Sequence, residues 1–273
     1  AQGRERVEKI ELGDGRRLFG ADPAAYTRGR PEYPQALYEE LRARCRLGAD
    51  KRVFEIGPGP GLATRRLLAL GIARLTAVEP DARLATYLRG AIEDTRLDIV
   101  ELPFEDAPLP PAAFDLGAAA TSFHWLEQSA ALTKVFQALK PGAWWAMWWT
   151  VLGTRDRSDE FEDATRHLFA DTPSTPSDVG RERMAFALDE AARFRDLAAA
   201  GFVNASIESF AWTETFDTAR LLDLYGTFSP VGVLPEARRR AFLSELERIV
   251  DGRFGGRIER PSRAILYLAR RPG

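Results

Sequence analysis

VFEIGPGPGLATRRLL, residues Val53 to Leu68, runs from an apolar segment into three glycines separated by two prolines. RVFEI predicts a buried strand, and LATRRLLAL predicts the helix that follows it. A glycine-rich turn between a strand and a helix commonly binds a cofactor through its backbone amides. Proline has no amide hydrogen, so Pro58 and Pro60 remove two donors from this turn. Since Glu55 also adds negative charge, the turn favours a ligand with a cationic group over a phosphate.

Two further features of this region bear on the ligand. The dinucleotide pattern G-x-G-x-x-G has Leu62 where its third glycine belongs, which counts against NAD. Glu79 ends the next predicted strand, in LTAVEP, where a carboxylate can accept hydrogen bonds from both hydroxyls of a ribose. The alternative for Glu79 is a solvated strand end, and we favour the ribose interpretation because the glycine turn precedes it.

Strands alternate with single helices from residue 52 onwards, which predicts a parallel sheet with helices on both faces. The predicted architecture is an α/β, Rossmann-like, seven-stranded sheet, mostly parallel, with the last strand antiparallel and a helical cap. Pro141 and Gly142 are expected to form a turn after a helix that reaches Lys140. The predicted strands are 52–56, 74–79, 96–102, 114–122, 143–151, 204–212 and 262–270.

The chain of 273 residues is interpreted as one domain. Residues 1–50 form an N-terminal arm or lid, and 51–152 form the half that binds the cofactor. Regular alternation lapses at 153–188 and again at 214–256, and both segments are assigned to the cap. Insertions at these points would lie above the carboxyl ends of the strands, where such sheets bind ligands.

Composition excludes several classes of protein. With 45% hydrophobic and 29% charged residues, the chain resembles an ordinary soluble protein. A formal charge of −2 disfavours a nucleic-acid partner. Cys45 is the single cysteine, so neither an intrachain disulfide nor thiolate-bound zinc is expected. Because no apolar run is long enough for a membrane span and the N-terminus carries no signal peptide, we expect a cytoplasmic location.

Several motifs together resemble the class I S-adenosylmethionine-dependent methyltransferases. They are E-x-G-x-G-x-G in Glu55–Gly61, the strand-ending Glu79, and F-D-L followed by S-F-H-W. The N-terminal Y-x-x-x-R-P-x-Y-P, Tyr26 to Pro34, is similar to that of a small-molecule branch built on the methyltransferase-11 pattern. The resemblance is dense over about residues 21–151, whereas 189–271 match only the general fold pattern.

The resemblance implies roles for individual residues. The acid and glycines of the turn would wrap the methionine part of S-adenosylmethionine, and Glu79 would bind its ribose. Glu105 would bind the adenine amino group beside the amide of Asp106, and the choice between these two acids stays open. Arg30, in the N-terminal lid, would pair with the cofactor carboxylate. The cofactor set is Tyr26, Arg30, Glu55, Gly57, Gly59, Gly61, Glu79, Pro80, Glu105, Asp106 and Thr121.

Methyl transfer to a small molecule needs mainly alignment of the reactants, with a base only when the acceptor must lose a proton. His124, in TSFHW, is the candidate catalytic base, and a packing role in the pocket wall is its alternative. Trp125 and Trp149, at strand ends, are candidate pocket residues, while the other tryptophans of AWWAMWW belong to the core. His167 is a further candidate pocket residue, although a surface position is the interpretation we favour for it.

We expect no metal, because no group of acids has metal-ligand spacing. The predicted function is methylation of a small-molecule acceptor at O, N or C by a monomer or homodimer without nucleic-acid or membrane partners. One alternative is a protein of the same scaffold that binds S-adenosylmethionine but acts as a cyclase or serves structurally. Another is an NAD-dependent oxidoreductase, against which the turn sequence counts.

Overall fold

The computed structural model describes residues 9–15, 18–153, 159–176 and 185–273, and these contain a seven-stranded sheet. The strand order is β3-β2-β1-β4-β5-β7-β6. β7 pairs antiparallel with both β5 and β6, while β1 to β5 are parallel. The predicted Rossmann-like fold is confirmed. The strands are β1 (Arg52–Ile56), β2 (Arg74–Val78), β3 (Leu97–Val100), β4 (Phe114–Ala120), β5 (Leu139–Leu152), β6 (Val203–Asp217) and β7 (Arg257–Arg270).

Helices cover both faces of the sheet and the edge at which the parallel strands end. They are α1 (Leu12–Gly15), α2 (Pro23–Gly29), α3 (Gln35–Arg44), α4 (Leu62–Ala69), α5 (Ala82–Ala91), α6 (Gln128–Ala138), α7 (Glu160–Thr165), α8 (Glu190–Ala199), α9 (Thr218–Gly226), α10 (Ser229–Gly232) and α11 (Glu236–Phe254).

The alternation of side chains along β5 divides its tryptophans between two cores. Trp145 and Trp149 pack on one face with residues of α6 and α8, and Trp148 packs on the other with residues of α3 and α4. Both Trp145 and Trp148 are fully buried. This division follows from the period of two in a strand. The positions of Trp145 and Trp148 agree with their predicted core role, whereas Trp149 was predicted to line the pocket.

Three strands extend well beyond their predicted bounds: β5 and β6, and also β7, which begins at Arg257 instead of residue 262. The helix before β5 ends at Ala138, and Leu139 through Gly142 extend the strand instead of forming a turn. Leu139 pairs with Phe114, so this segment gains ladder hydrogen bonds that a turn would lack. β6 runs on to Asp217, beyond its predicted end at residue 212, because it pairs with β7 to its end, and α9 begins at Thr218.

A third apolar cluster forms the cap above the carboxyl ends of the strands. Phe216, Leu221 and Leu246 are completely buried in it, and α7, α9 and α11 contribute to it. The N-terminal α2 lies against α9 so closely that a Cβ on Gly29 would come within 2.4 Å of the backbone nitrogen of Leu224. Parts of the predicted arm (1–8, 16–17) and cap (154–158, 177–184) lie outside the described residues.

Candidate active site

The glycine turn after β1 depends on backbone conformations that favour glycine. Gly57, Gly59 and Gly61 have φ of +64°, +55° and +93°. A Cβ on Gly61 would lie 2.6 Å from Cδ1 of Leu88 on α5, so this glycine allows the turn to pack on a helix. A Cβ on Gly59 would meet no atom within 4 Å. Gly59 therefore has free space beside it, whereas Gly61 packs against α5.

Glu79, directly after β2, is bound to the glycine turn. Its Oε2 accepts from the backbone nitrogen of Gly59 at 3.1 Å, and its Oε1 accepts from that of Asp81 at 3.0 Å. The side chain is 3% exposed, and burial raises its pKa to about 7. Each carboxylate oxygen can accept a second hydrogen bond, so the residue retains capacity for ligand hydroxyls.

Glu55 lies beneath the turn and does not reach the cavity wall. It is fully buried, and its Oε2 accepts from Oγ1 of Thr64 at 2.7 Å. Its Oε1 has no hydrogen-bond partner among the described residues, and burial raises the pKa of the carboxyl to about 7. Glu55 was expected to present its charge to the ligand. In the structure its side chain lies between β1 and α4 instead, where it binds Thr64.

The inner cavity, as we name it, opens where β1, β2 and β4 end. Gly57, Gly59, Glu79 and Pro80 line it, but Gly61 does not. No lysine, arginine or histidine is among the described residues of its wall. A cavity with an acid, apolar walls and no cation fits a nucleoside with a cationic tail and does not fit a pyrophosphate.

The segment expected to meet an adenine ring contributes a different residue from the predicted ones. Phe104 lines the inner cavity, whereas the side chains of Glu105 and Asp106 are exposed and do not. Phe104 is 2% exposed and stacks on Phe54, with 6.4 Å between ring centroids. The apolar side chain turns inward because it completes the core, and this leaves the two acids outside.

Residues of the N-terminal region cover the inner cavity. Phe19 and Tyr26 line it and contact each other edge to face, with ring centroids 6.1 Å apart. Phe19 also meets the buried Trp125, at 5.9 Å, which lines the same cavity. A Cβ on Gly15 would lie 1.9 Å from the Trp125 ring. Only glycine therefore allows α1 to rest on this indole.

The outer cavity, of about 450 Å³, adjoins the inner one under the cap. Five residues line both: Phe19, Tyr26, Tyr33, Leu62 and Thr121. Tyr33 and Thr121 share a hydrogen bond of 2.7 Å between their hydroxyl oxygens. Thr121 has φ of +52°, a strained conformation for a β-branched residue. A strained residue thus stands where the two cavities meet.

His124 and Trp149 both line the outer cavity and bind each other. Nε1 of Trp149 donates to Nδ1 of His124 at 2.9 Å. Burial, with the positive charges of Arg30 and Arg193, lowers the pKa of His124 to about 3. The imidazole is therefore neutral near neutral pH, and the nitrogen that could serve as a base has its lone pair occupied by the indole N–H.

Arg30 lies in the wall of the outer cavity and not in that of the inner one. Its guanidinium lies over the rings of Tyr26, at 4.9 Å, and Phe228, at 5.1 Å. By contrast Arg260, in the same wall, donates to Oδ2 of Asp159 at 2.8 Å. The two arginines differ because one has an acidic partner within the protein and the other has none among the described residues.

His167 does not lie in the outer cavity, which corrects its assignment to the pocket. Its side chain is 60% exposed, with Nε2 4.0 Å from Oε1 of Glu245 on α11. Thr165, Arg166 and Phe169 do line the cavity. The chain passes from α7 into a 3₁₀ turn at Arg166–Phe169, and this turn directs His167 to the solvent.

Sequence reasoning missed several residues of the two walls. Phe19, Tyr33 and Phe104 line the inner cavity, and Phe186 and Arg260 line the outer one. Tyr33 stands within the quoted Tyr26–Pro34 motif, so a signal for it was present. Phe186 and Arg260 come from distant segments that only folding brings together.

Among the described residues, no group of three or more His, Cys, Asp or Glu side chains is placed to hold a metal ion. None of the described helices is both long and apolar enough to cross a membrane.

Residues 54–147 match the family model described as a methyltransferase domain. The chain is also 24% identical over 237 residues to an uncharacterized methyltransferase of Schizosaccharomyces pombe. That alignment covers 86% of this chain and 87% of the relative.

Solved structures share the fold. A proposed type II methyltransferase from Anaeromyxobacter dehalogenans has a TM-score of 0.61 and 23% identity, covering 89% of this chain and 98% of its own. Another is phosphoethanolamine N-methyltransferase 2 of Haemonchus contortus, solved with phosphomonomethylethanolamine and S-adenosylhomocysteine. It has a TM-score of 0.58 and 12% identity, and the match covers 97% of this chain and 61% of that one. The (4+2) cyclase SpnF has a TM-score of 0.55 and 16% identity, and the match covers 98% of this chain and 99% of that one.

The domain match, the curated relative and the cation-free inner cavity agree on cofactor and family. The protein is an S-adenosylmethionine-dependent methyltransferase with a Rossmann-like sheet, and S-adenosylmethionine is its cofactor.

Proposed function

We propose that the protein methylates a small-molecule acceptor, with the cofactor in the inner cavity and the acceptor in the outer cavity. The observation that carries this proposal is the wall of five residues shared by the two cavities. Methyl transfer requires donor and acceptor to meet in line within a space closed to water. The outer cavity, of about 450 Å³ and rich in aromatic side chains, is of a size and polarity suited to a compact apolar or aromatic acceptor.

The cofactor-binding roles that we propose follow the geometry of the inner cavity. Glu79 binds the ribose hydroxyls, and the backbone of Gly57 and Gly59 approaches the methionine part. Tyr26 and Thr121 stand beside the junction of the cavities, and Pro80 with Phe104 faces the adenine. The side chains of Glu105 and Asp106 lie outside the inner cavity, so we assign them no contact with the adenine.

S-adenosylmethionine, when bound, supplies a methyl group on a sulfonium, which is already a good leaving group. The residues of this chain orient the two reactants and exclude water. Phe19 and Tyr26 cover the inner cavity, and Trp149 closes part of the outer one. An acceptor that arrives deprotonated, through O, N or C, needs no proton transfer to the protein.

The alternatives differ in what supports them. The fold shared with a (4+2) cyclase keeps open a cofactor-binding protein with another reaction, because fold does not determine chemistry. An NAD-dependent oxidoreductase has less support, because the described wall of the inner cavity contains no cation for a pyrophosphate. A soluble cytoplasmic monomer or homodimer without a nucleic-acid partner stays a prediction from composition and the charge of −2.

Calorimetric titration with S-adenosylhomocysteine and, separately, NADH tests the cofactor site. We expect S-adenosylhomocysteine to bind and NADH not to bind, and the reverse result would overturn the assignment. Incubation with S-adenosylmethionine and a panel of small acceptors tests the reaction. Release of S-adenosylhomocysteine together with an acceptor heavier by one methyl group supports a methyltransferase. Conversion of an acceptor without S-adenosylhomocysteine release supports the cyclase alternative.

A further inference from the structure

The hydrogen bond between Trp149 and His124 determines where the imidazole carries its proton. An indole N–H is a donor only, so Nδ1 of His124 must accept in the 2.9 Å bond. In a neutral imidazole the other nitrogen is then the protonated one. His124 therefore holds its proton on Nε2, and Trp149 is the positioning residue that sets this tautomer.

Nε2 of His124 is left available to a ligand. Trp149 is the hydrogen-bond partner that the described residues give to the ring, and it uses Nδ1. Nε2 has no partner among the described residues and is not completely buried. The residue as a whole is 4% exposed. Its remaining accessibility is toward the outer cavity, which His124 lines. The Nε2–H is therefore the donor that this ring offers to a ligand in the outer cavity, the space proposed for the acceptor.

Arg30 supplies a positive charge in the same wall. Among the residues that the structure describes, its buried Nε has no hydrogen-bond partner and no carboxylate forms an ion pair with the guanidinium. The aromatic rings of Tyr26 and Phe228 hold the guanidinium but do not neutralise it. A partly buried cation without an anion is unfavourable, so the site is completed by a negatively charged ligand.

We propose that Arg30 and the Nε2–H of His124 together bind an anionic oxygen of the acceptor, which makes the substrate a small carboxylic acid with an apolar or aromatic body. This inference rests on the proposed function and names the substrate class for the outer cavity. His124 then acts as a hydrogen-bond donor and not as a base. The low pKa of His124 agrees with this role, because a neutral imidazole keeps its N–H donor without taking up a second proton.

Arg30 can meet a carboxylate from either of two sources, the acceptor or the methionine part of the cofactor. Its place in the wall of the outer cavity favours the acceptor. The experiment therefore begins with protein saturated with S-adenosylhomocysteine, which already brings the cofactor's own carboxylate. Benzoate is titrated into this complex as the probe, and benzamide, of similar shape but neutral, is its control. We expect benzoate to bind and benzamide to bind at least about tenfold more weakly.

Arg30→Met separates the two sources. We expect this variant to bind benzoate about tenfold more weakly or worse. Its affinity for S-adenosylhomocysteine should stay within about twofold of the wild-type value. Arg42→Met, which removes an exposed arginine of α3, is the matched control and should change neither. If Arg30→Met weakens S-adenosylhomocysteine instead of benzoate, or if benzoate does not bind to the wild-type complex, the proposal is wrong.

Two measurements test His124 directly. His124→Gln can keep a donor near the position of Nε2 and should retain most of the benzoate affinity, whereas His124→Phe should lose it. Nitrogen-15 NMR of the wild-type protein should show a neutral, Nε2-protonated imidazole from pH 5 to pH 8. The charged groups that act on this ring are Arg30 and Arg193, and its aromatic neighbours are Trp125, Trp149 and Phe186. An Nδ1-protonated ring, or titration within this range, would overturn the donor role.

A failure of the proposed function gives a different pattern. If S-adenosylhomocysteine does not bind, the cofactor assignment fails, and benzoate is titrated into the protein alone. Binding of benzoate that depends on Arg30 would still support the anion site. Absence of such binding would remove it.

Discussion

The backbone N–H of Gly59 donates to Oε2 of Glu79 over 3.1 Å and so joins the glycine turn after β1 to the end of β2. Because Oε1 of Glu79 also accepts from the backbone nitrogen of Asp81, the carboxylate is held in place by two amides. A group that is already oriented loses little conformational entropy when a ligand binds. The ribose site that we propose is therefore formed before the cofactor arrives.

Replacing Glu79 with alanine should weaken cofactor binding by about 1–3 kcal/mol, since hydrogen bonds to a charged acceptor are lost. Calorimetric titration with S-adenosylhomocysteine measures the effect. Glu101→Ala is the matched control, because this exposed acid lies just beyond β3 and pairs with Arg89. Equal affinities of the Glu79 variant and the wild type would remove Glu79 from the ribose site.

Alanine substitutions in the glycine turn should have unequal effects on stability. Gly59→Ala requires a left-handed backbone, at about 1–2 kcal/mol, but its Cβ would meet no atom. Gly61→Ala carries a similar strain and also places its Cβ 2.6 Å from Leu88 and 2.8 Å from Ile92. We expect the midpoint of thermal unfolding to fall further for Gly61→Ala. If Gly59→Ala lowered it as far, packing on α5 would not be the reason for Gly61.

The buried Glu55 should make stability depend on pH. Its pKa in the folded protein is about 7, above the ordinary 4.5, so the folded state holds the proton more tightly. The free energy of unfolding should therefore fall as pH rises from about 4.5 to about 7, at up to about 1.4 kcal/mol per pH unit. Glu79 is shifted in the same direction, so the two contributions must be separated.

Glu55→Gln isolates the first contribution, because its amide oxygen can still accept from Thr64. We expect the variant to gain stability relative to the wild type between pH 5 and pH 8, as measured by urea unfolding at each pH. Glu79 remains in both proteins, so the difference reports the titration of Glu55 together with its coupling to Glu79. Parallel curves for the two proteins would show that Glu55 is not the titrating group.

Asp159 should be important for the cap. Its Oδ1 accepts from the backbone nitrogen of Glu162 at the start of α7, and its Oδ2 accepts from the buried Arg260 of β7. Asp159→Ala removes a helix cap and leaves a buried guanidinium without its partner, so it should lower the free energy of unfolding by about 2–4 kcal/mol. Asp163→Ala, which breaks an exposed pair with Arg166, should change it by about 1 kcal/mol or less. Similar losses in both variants would contradict the structural role of Asp159.

Local patterns predicted most of the sheet but not its full extent. β1, β2 and β4 were located well because each is a short apolar run bounded by turn residues. The extension of β5 through Pro141 and Gly142 was not predicted, since these residues are typical of turns. This segment joins the strand because Leu139 pairs with Phe114 of β4, a contact between distant parts of the chain.

The sequence by itself determined the order of strands and helices, the glycine turn and the acid at the end of β2, because each depends on neighbours along the chain. Only the tertiary structure decided which atoms face the two cavities. Trp149 lies on β5, 25 residues after His124, and it alone sets which imidazole nitrogen keeps its proton. Likewise, contacts between distant segments decide that Arg260 has an acidic partner and that Arg30 has none within the described parts of the chain. Such contacts are a matter of packing, and no local pattern encodes them.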